Sequence, residues 1–337
     1  MDQTLIIMWV GFILASYSVV GNDVIQTMGT FLSSNEKKPW WVLWIFAGTI
    51  LSATLIYSWY VNGGDVSYQR LSKYPFPEPF DWYYVLPPLV LMYVTRWGIP
   101  VSTSFLILTF FSFKNLSRML VKSVSGYLVA FAAAIVVYIL ITKLLEKRFI
   151  ENPIKTQEKK IWTVLQWVST GFLWTQWLAQ DFANIFVYLP RKLDVTSLII
   201  SLIILLALLG YIFYQRGGAI QKIVKSKTNT TDIRSATIID FIYGIVLFYF
   251  KELNEIPMST TWVFIGLLAG REIAIRWRLN GKLQWPEVKG ILSDLGKVFF
   301  GLFISLLLVI FIQWVRGEDI IQMIMDMGND LRAQLFE

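Results

Sequence analysis

Two aspartates stand at the start of two short apolar stretches. Asn22-Asp23 follows one apolar run and precedes another, and Gln180-Asp181 does the same 158 positions later. A carboxylate placed between membrane-length apolar runs costs several kcal/mol without a partner, so such a residue reads as functional. With Gly or a small polar residue beside it, each Asp fits a helix interruption, where freed carbonyls and a carboxylate oxygen replace the water shell of a small hard cation. Sodium is one candidate and a proton on the carboxyl is the other. The competing structural role is an Asp N-cap that bonds the first turn of the next helix.

Hydroxyls form the second repeated group. Ile99-Pro100-Val101-Ser102-Thr103-Ser104 is matched 157 positions on by Ile256-Pro257-Met258-Ser259-Thr260-Thr261. Pro favours the first helical turn and Ser/Thr favour its N-cap, so each cluster marks a helix N-terminus. Such an end presents unpaired N–H groups and a partial positive charge, which together with hydroxyls can hold an oxyanion. Two of them would grip a tetrahedral anion from opposite sides. The alternative is Ser/Thr bonding back to helix carbonyls.

The elements that must position these groups are membrane helices. Charged residues make up only 16% of the 337, hydrophobic residues 55%, and mean hydropathy is +0.56, against roughly 25% charged in soluble domains. Residues 124–142, 195–214 and 298–315 are long enough to span a ~30 Å hydrocarbon core. The first segment has no basic leader before it and is expected to stay as a span. Other segments, such as 24–32, 83–95, 99–113 and 182–189, are too short to cross alone. The chain has no cysteine and no histidine, which argues against thiol chemistry, disulfides and zinc or haem catalysis. Nothing pairs a nucleophile with a base, so no enzyme is expected.

Gly63-Gly64 and Gly217-Gly218 add a third match, 154 positions apart. Three landmarks in order at nearly one offset indicate an internal duplication: a first membrane repeat over 1–145, a cytoplasmic linker over 146–160, a second repeat over 161–316 and an amphipathic tail over 317–337. If residues 5–32 form one broken helix and 83–113 a re-entrant hairpin, each half crosses three times. The second half is then inverted, as in many transporters with discontinuous helices. The fold class expected is an all-α polytopic membrane protein of two inverted repeats with broken helices and re-entrant helical hairpins. This layout puts 18 Lys/Arg on the side of the central loop and 9 on the other, which places both termini outside. The net charge of +7 is then a loop property and implies no nucleic acid. Trp40-Trp41, residues 82–84 and residues 162–177 read as interfacial anchors.

The motifs resemble the inorganic phosphate transporter (PiT) family. That family carries a G-A-N-D-V-A-N signature early in each half and a G-x-P-V-S-T-T-H signature later. Here the first reads Gly21-Asn22-Asp23-Val24-Ile25-Gln26 and Gln180-Asp181-Phe182-Ala183-Asn184. The second reads Gly98-Ile99-Pro100-Val101-Ser102-Thr103-Ser104 and Ile256-Pro257-Met258-Ser259-Thr260-Thr261-Trp262. The resemblance implies a symporter of the cell membrane carrying inorganic phosphate with sodium. It assigns Asn22, Asp23, Asp181 and Asn184 to sodium. It assigns Ser102, Thr103, Ser104, Ser259, Thr260 and Thr261 to the anion, with Gln26 and Gln180 as further donors. The family's His is replaced by Phe105 and Trp262, and two of its Asn by Gln26 and Gln180, so sulfate or another oxyanion and proton coupling stay open. So do an anion sensor, a passive channel and a homodimer. Asp240, inside an apolar segment, either lines the pathway or serves packing.

Overall fold

The computed structural model describes residues 3–97, 101–141, 154–217, 233–253, 258–280, 285–317 and 319–336. Every regular element in them is helical. The first half contains α1 (Gln3–Val19), a π-helical turn (Val20–Val24), α2 (Ile25–Ser34), α3 (Trp40–Val61), α4 (Leu86–Arg96), α5 (Thr103–Phe111) and α6 (Leu116–Ile141). The second contains α7 (Thr156–Phe186), α8 (Val195–Tyr214), α9 (Ile233–Leu253), α10 (Thr260–Asn280), α11 (Trp285–Arg316) and α12 (Ile320–Phe336). The protein is an all-α polytopic membrane protein. Among the described residues, six helical stretches are long and apolar enough to cross a bilayer: Gln3–Val24, Trp40–Val61, Phe113–Leu140, Val195–Tyr214, Ile233–Phe250 and Val288–Arg316.

α2, α4 and α5 have 10, 11 and 9 residues, too few to cross a ~30 Å core at 1.5 Å per residue. They lie within the bundle, where α4 packs on α5 and α5 on α7 and α11. The apolar-run boundaries are shorter than the helices. α6 starts at Leu116 and includes Arg118 and Lys122, and α10 continues through Arg271 to Asn280. Charged residues end an apolar run but not a helix, because the backbone bonds continue past the hydrocarbon boundary. For the same reason Thr156–Lys160, placed in the linker by sequence, forms the first turns of α7.

α6 lies on α10, and α11 lies on α5. α3 and α8 pack together and run in opposite directions. Arg216 after α8 donates to the Lys38 carbonyl before α3 at 2.9 Å, while Leu193 before α8 donates to the Gly64 carbonyl after α3 at 2.9 Å. Gly63, Gly64 and Gly217 all have positive φ (59°, 101° and 84°). At Gly64 any Cβ would also press on Leu193, so these paired glycines are turns that close α3 and α8. Gly218 lies outside the described residues.

Two expectations are corrected here. The second helix is not interrupted at Asp181: α7 runs unbroken from Thr156 to Phe186, absorbing the short segment 182–189 up to its C-terminus. Trp174 and Trp177 are not interfacial. Both are buried, stacked with centroids 4.9 Å apart, and the Trp174 indole donates to the Ala47 carbonyl at 3.0 Å. Trp41 and Trp82 are exposed, as anchors should be.

Candidate functional site

The site begins with the π-turn. Val20–Val24 carries Asn22 and Asp23 inside an otherwise α-helical path. A π-turn inserts an extra residue into the helix and occurs often at functional sites. The interruption is therefore a local widening and not an unwound gap, and neither aspartate is an N-cap. Asp181 lies in the last turns of α7, with Asn184 one turn on.

Two helix N-termini face these aspartates. At α5 the Ser102 hydroxyl accepts from Phe105 N at 3.2 Å, and at α10 the Ser259 hydroxyl accepts from Trp262 N at 3.3 Å. Both are N-caps of the same form, set 157 positions apart. The residues that precede them, 98–100 and 254–257, lie outside the described segments.

Contacts gather the sequence-assigned residues other than Gln26 and Gln180 at one buried place. Asn22 Nδ2 donates to Asp23 Oδ1 at 2.6 Å and to the Val101 carbonyl at 2.9 Å. Asn184 Nδ2 donates to Asp181 Oδ1 and, at 3.0 Å, to Thr103 Oγ1. Thr103 neighbours the Asp23 carboxyl and Thr260 neighbours that of Asp181. The helix tips also bond each other: Thr261 donates to the Val101 carbonyl at 3.2 Å and Ser104 to the Met258 carbonyl at 3.4 Å. Asn22, Asp23, Asp181 and Asn184 are at most 1% exposed. Gln26 is buried on α2. Gln180 differs from its assigned role, because its Nε2 donates to the Leu247 carbonyl at 3.2 Å and so serves α9 rather than an anion.

The pattern of unpaired atoms has a sign. Asn22 Oδ1, Asp23 Oδ2, Gln180 Oε1, Asp181 Oδ2 and Asn184 Oδ1 are buried oxygens without a hydrogen-bond partner. Buried polar groups are rarely left so. All five are acceptors, and the two carboxylates lie within electrostatic reach of each other. Oxygen-only donor sets suit hard cations. Gln26 Nε2 and Trp262 Nε1 are unpaired buried donors. Trp262 meets Phe105 with ring centroids 5.8 Å apart, an aromatic contact between the two helix starts.

Sequence reasoning missed Arg70 and Tyr243. Arg70 is 3% exposed in the connection between α3 and α4, and it lies within electrostatic reach of Asp181. Tyr243 on α9 donates to the Thr260 carbonyl at 3.1 Å and neighbours both aspartates. A basic residue in a loop and a phenol in an apolar run give no sequence signal of a site. The Arg70 connection is held by Arg191, which donates to the carbonyls of Tyr74, Val187 and Leu189 at 2.9–3.1 Å. Burial lowers the Arg191 guanidinium to about 10, against the opposing pull of Asp65, so it stays charged at neutral pH. On another side, a cavity of about 330 Å³ reaches Gly21 of the π-turn and is lined by Tyr17, Thr95, Arg96 and Gln215 among others.

No protein-family model matches the sequence, and no curated protein is significantly similar. A solved structure described as "The sodium-dependent phosphate transporter" superposes with a TM-score of 0.64 at 14% identity, over 92% of this chain and 96% of that one. The likeness establishes a shared fold.

Proposed function

We propose that the protein is a secondary active transporter that carries inorganic phosphate inward with sodium. The observation that carries this reading is the cluster of five unpaired buried oxygens around Asp23 and Asp181, set against two capped helix N-termini. In this reading Asn22, Asp23, Asp181 and Asn184 hold sodium, and the Gln180 oxygen joins them. The N–H groups and hydroxyls of Ser102–Ser104 and Ser259–Thr261 hold the anion, with Gln26 as a further donor. The tip-to-tip bonds from Thr261 and Ser104 part to admit it. Sodium next to the anion offsets its charge, which explains why two carboxylates and an oxyanion can share one buried site. Phosphate and sodium, as the pair, are favoured by the shared fold with the structure so described.

The antiparallel course of α3 and α8 and the reciprocal packing of α5, α6, α10 and α11 support an inverted repeat. Alternating access would rock one motif-bearing unit against the other around the fixed site. The test is uptake of labelled phosphate and sulfate into proteoliposomes with and without an inward sodium gradient. Sodium-dependent accumulation of phosphate above sulfate is expected. Uptake that ignores every cation gradient overturns symport, and preference for sulfate transfers the same mechanism to that anion.

A further inference from the structure

We infer that the cavity beside the π-turn is a second binding site for the transported oxyanion, held there by the Arg96 guanidinium between the central site and the face of the molecule that bears Lys38. The inference rests on the symport reading above.

The cavity holds about 330 Å³, at the small end of ligand-pocket volumes. Tyr17 of α1, Thr95 and Arg96 of α4, Tyr211 of α8 and Gln215 just after α8 line it. Among the described residues of this lining, Arg96 brings the one charge and no carboxylate occurs. Arg96 is exposed and has no hydrogen-bond or ion-pair partner among the described residues. The Thr95 hydroxyl beside it is buried and unpaired. The Tyr211 phenol oxygen accepts from Gln215 Nε2 at 2.6 Å, which leaves the phenol hydrogen free to be donated. A guanidinium with hydroxyl and phenol donors is the set that grips an oxyanion.

This lining is opposite in polarity to the central cluster, whose unpaired oxygens suit a cation. The two are adjacent. Gly21 lines the cavity and precedes Asn22, whose amide bonds Asp23 and the Val101 carbonyl before α5. A Cβ built at Gly21 would find its nearest atom from another helix, Ile212 Cδ1, 3.9 Å away. The glycine therefore leaves the cavity open to the π-turn. At the other end Gln215 precedes Arg216, which donates to the Lys38 carbonyl at 2.9 Å, so the cavity extends toward the Lys38 face. Arg96 also stands in the last turn of α4, where a cation offsets the helix dipole. That role alone needs neither an unpaired hydroxyl next to it nor a cavity that reaches the π-turn. A lipid phosphate would offer the guanidinium the same chemistry, but capture of a headgroup requires no opening toward Gly21.

The chain has no cysteine, so Gln215→Cys puts one thiol in the cavity lining. In sodium-free membrane vesicles that expose the Lys38 face of the full-length chain, an anionic methanethiosulfonate reagent should modify this thiol, and inorganic phosphate should slow the reaction. Adding Arg96→Gln should abolish that protection, and Arg96→Lys should keep it. In phosphate exchange, Arg96→Gln should raise the KM at the Lys38 face roughly tenfold and leave the KM at the opposite face unchanged, an asymmetry that a merely structural role would not produce. Absent protection, protection that survives Arg96→Gln, or equal effects on the two faces overturns the site while leaving symport intact. Protection by phosphatidylglycerol in the bilayer but not by phosphate assigns Arg96 to a lipid headgroup and also overturns it. If the wild-type chain shows no sodium-driven phosphate uptake, the symport reading itself fails, whatever the thiol reports.

Discussion

At Asp23 and Asp181 one carboxylate oxygen accepts an amide and the other has no partner. In a medium without water, that half-satisfied state supports the proposed role of each aspartate as a cation ligand. Removing the charge should remove much of the affinity. A charged ligand contributes about 1.5–3 kcal/mol, so Asp23→Asn or Asp181→Asn should weaken apparent sodium affinity roughly 10- to 150-fold. Sodium titration of phosphate uptake measures it, and wild-type sodium dependence in both variants would refute the cation assignment. These residues were legible in sequence because Asp and Ser/Thr repeat at one offset inside apolar runs. Their local setting was not legible. A π-turn and an unbroken α-helix depend on neighbours that pack against them, and Gly21-Asn22-Asp23 and Gln180-Asp181 do not encode that difference. Arg70 was hidden because it enters the interior from a loop that Arg191 and the α3–α8 contact hold in place.

Elements meet closely where side chains are absent. On α10, Gly266 and Gly270 are one turn apart and face α6. A Cβ at either would collide with the carbonyl oxygen of Tyr127 or Phe131. Small residues four apart are the usual means of close helix approach in membranes, where apolar burial does not by itself draw helices together. Gly270→Val should force α10 away from α6 and tilt the Ser259–Thr261 tip, which Ser123 of α6 holds by accepting from Ser259 N at 2.9 Å. Overpacking of this kind costs about 1–3 kcal/mol. The variant should lose thermal stability and uptake together, whereas Gly296→Val on α11, which meets no atom within 4 Å, should change neither. A full-activity Gly270→Val would show that the α6–α10 contact does not position the tip. Arg271 and Glu272 end the apolar run of α10 but not the helix, which continues to Asn280.

For the whole molecule, the two ends of the α3–α8 pair define opposite faces. The α2–α3 turn and the residues after α8 meet through Arg216 and Lys38, and the α3–α4 and α7–α8 connections meet through Gly64, Leu193 and Arg191. Lys37 and Lys192 therefore belong to opposite sides of a bilayer that α3 and α8 cross. By the positive-inside rule, the excess of Lys/Arg on the Lys37 side leads us to propose that this side is cytoplasmic. The chain's lack of cysteine allows each position to be labelled alone. In intact cells an impermeant maleimide should modify Lys192→Cys and, with the C-terminus outside, Arg332→Cys, both exposed. Lys37→Cys should react only after the membrane is opened. Labelling of Lys37→Cys and Lys192→Cys from one side would contradict the crossing of α3. Labelling of Lys37→Cys from outside with Lys192→Cys protected would reverse the orientation.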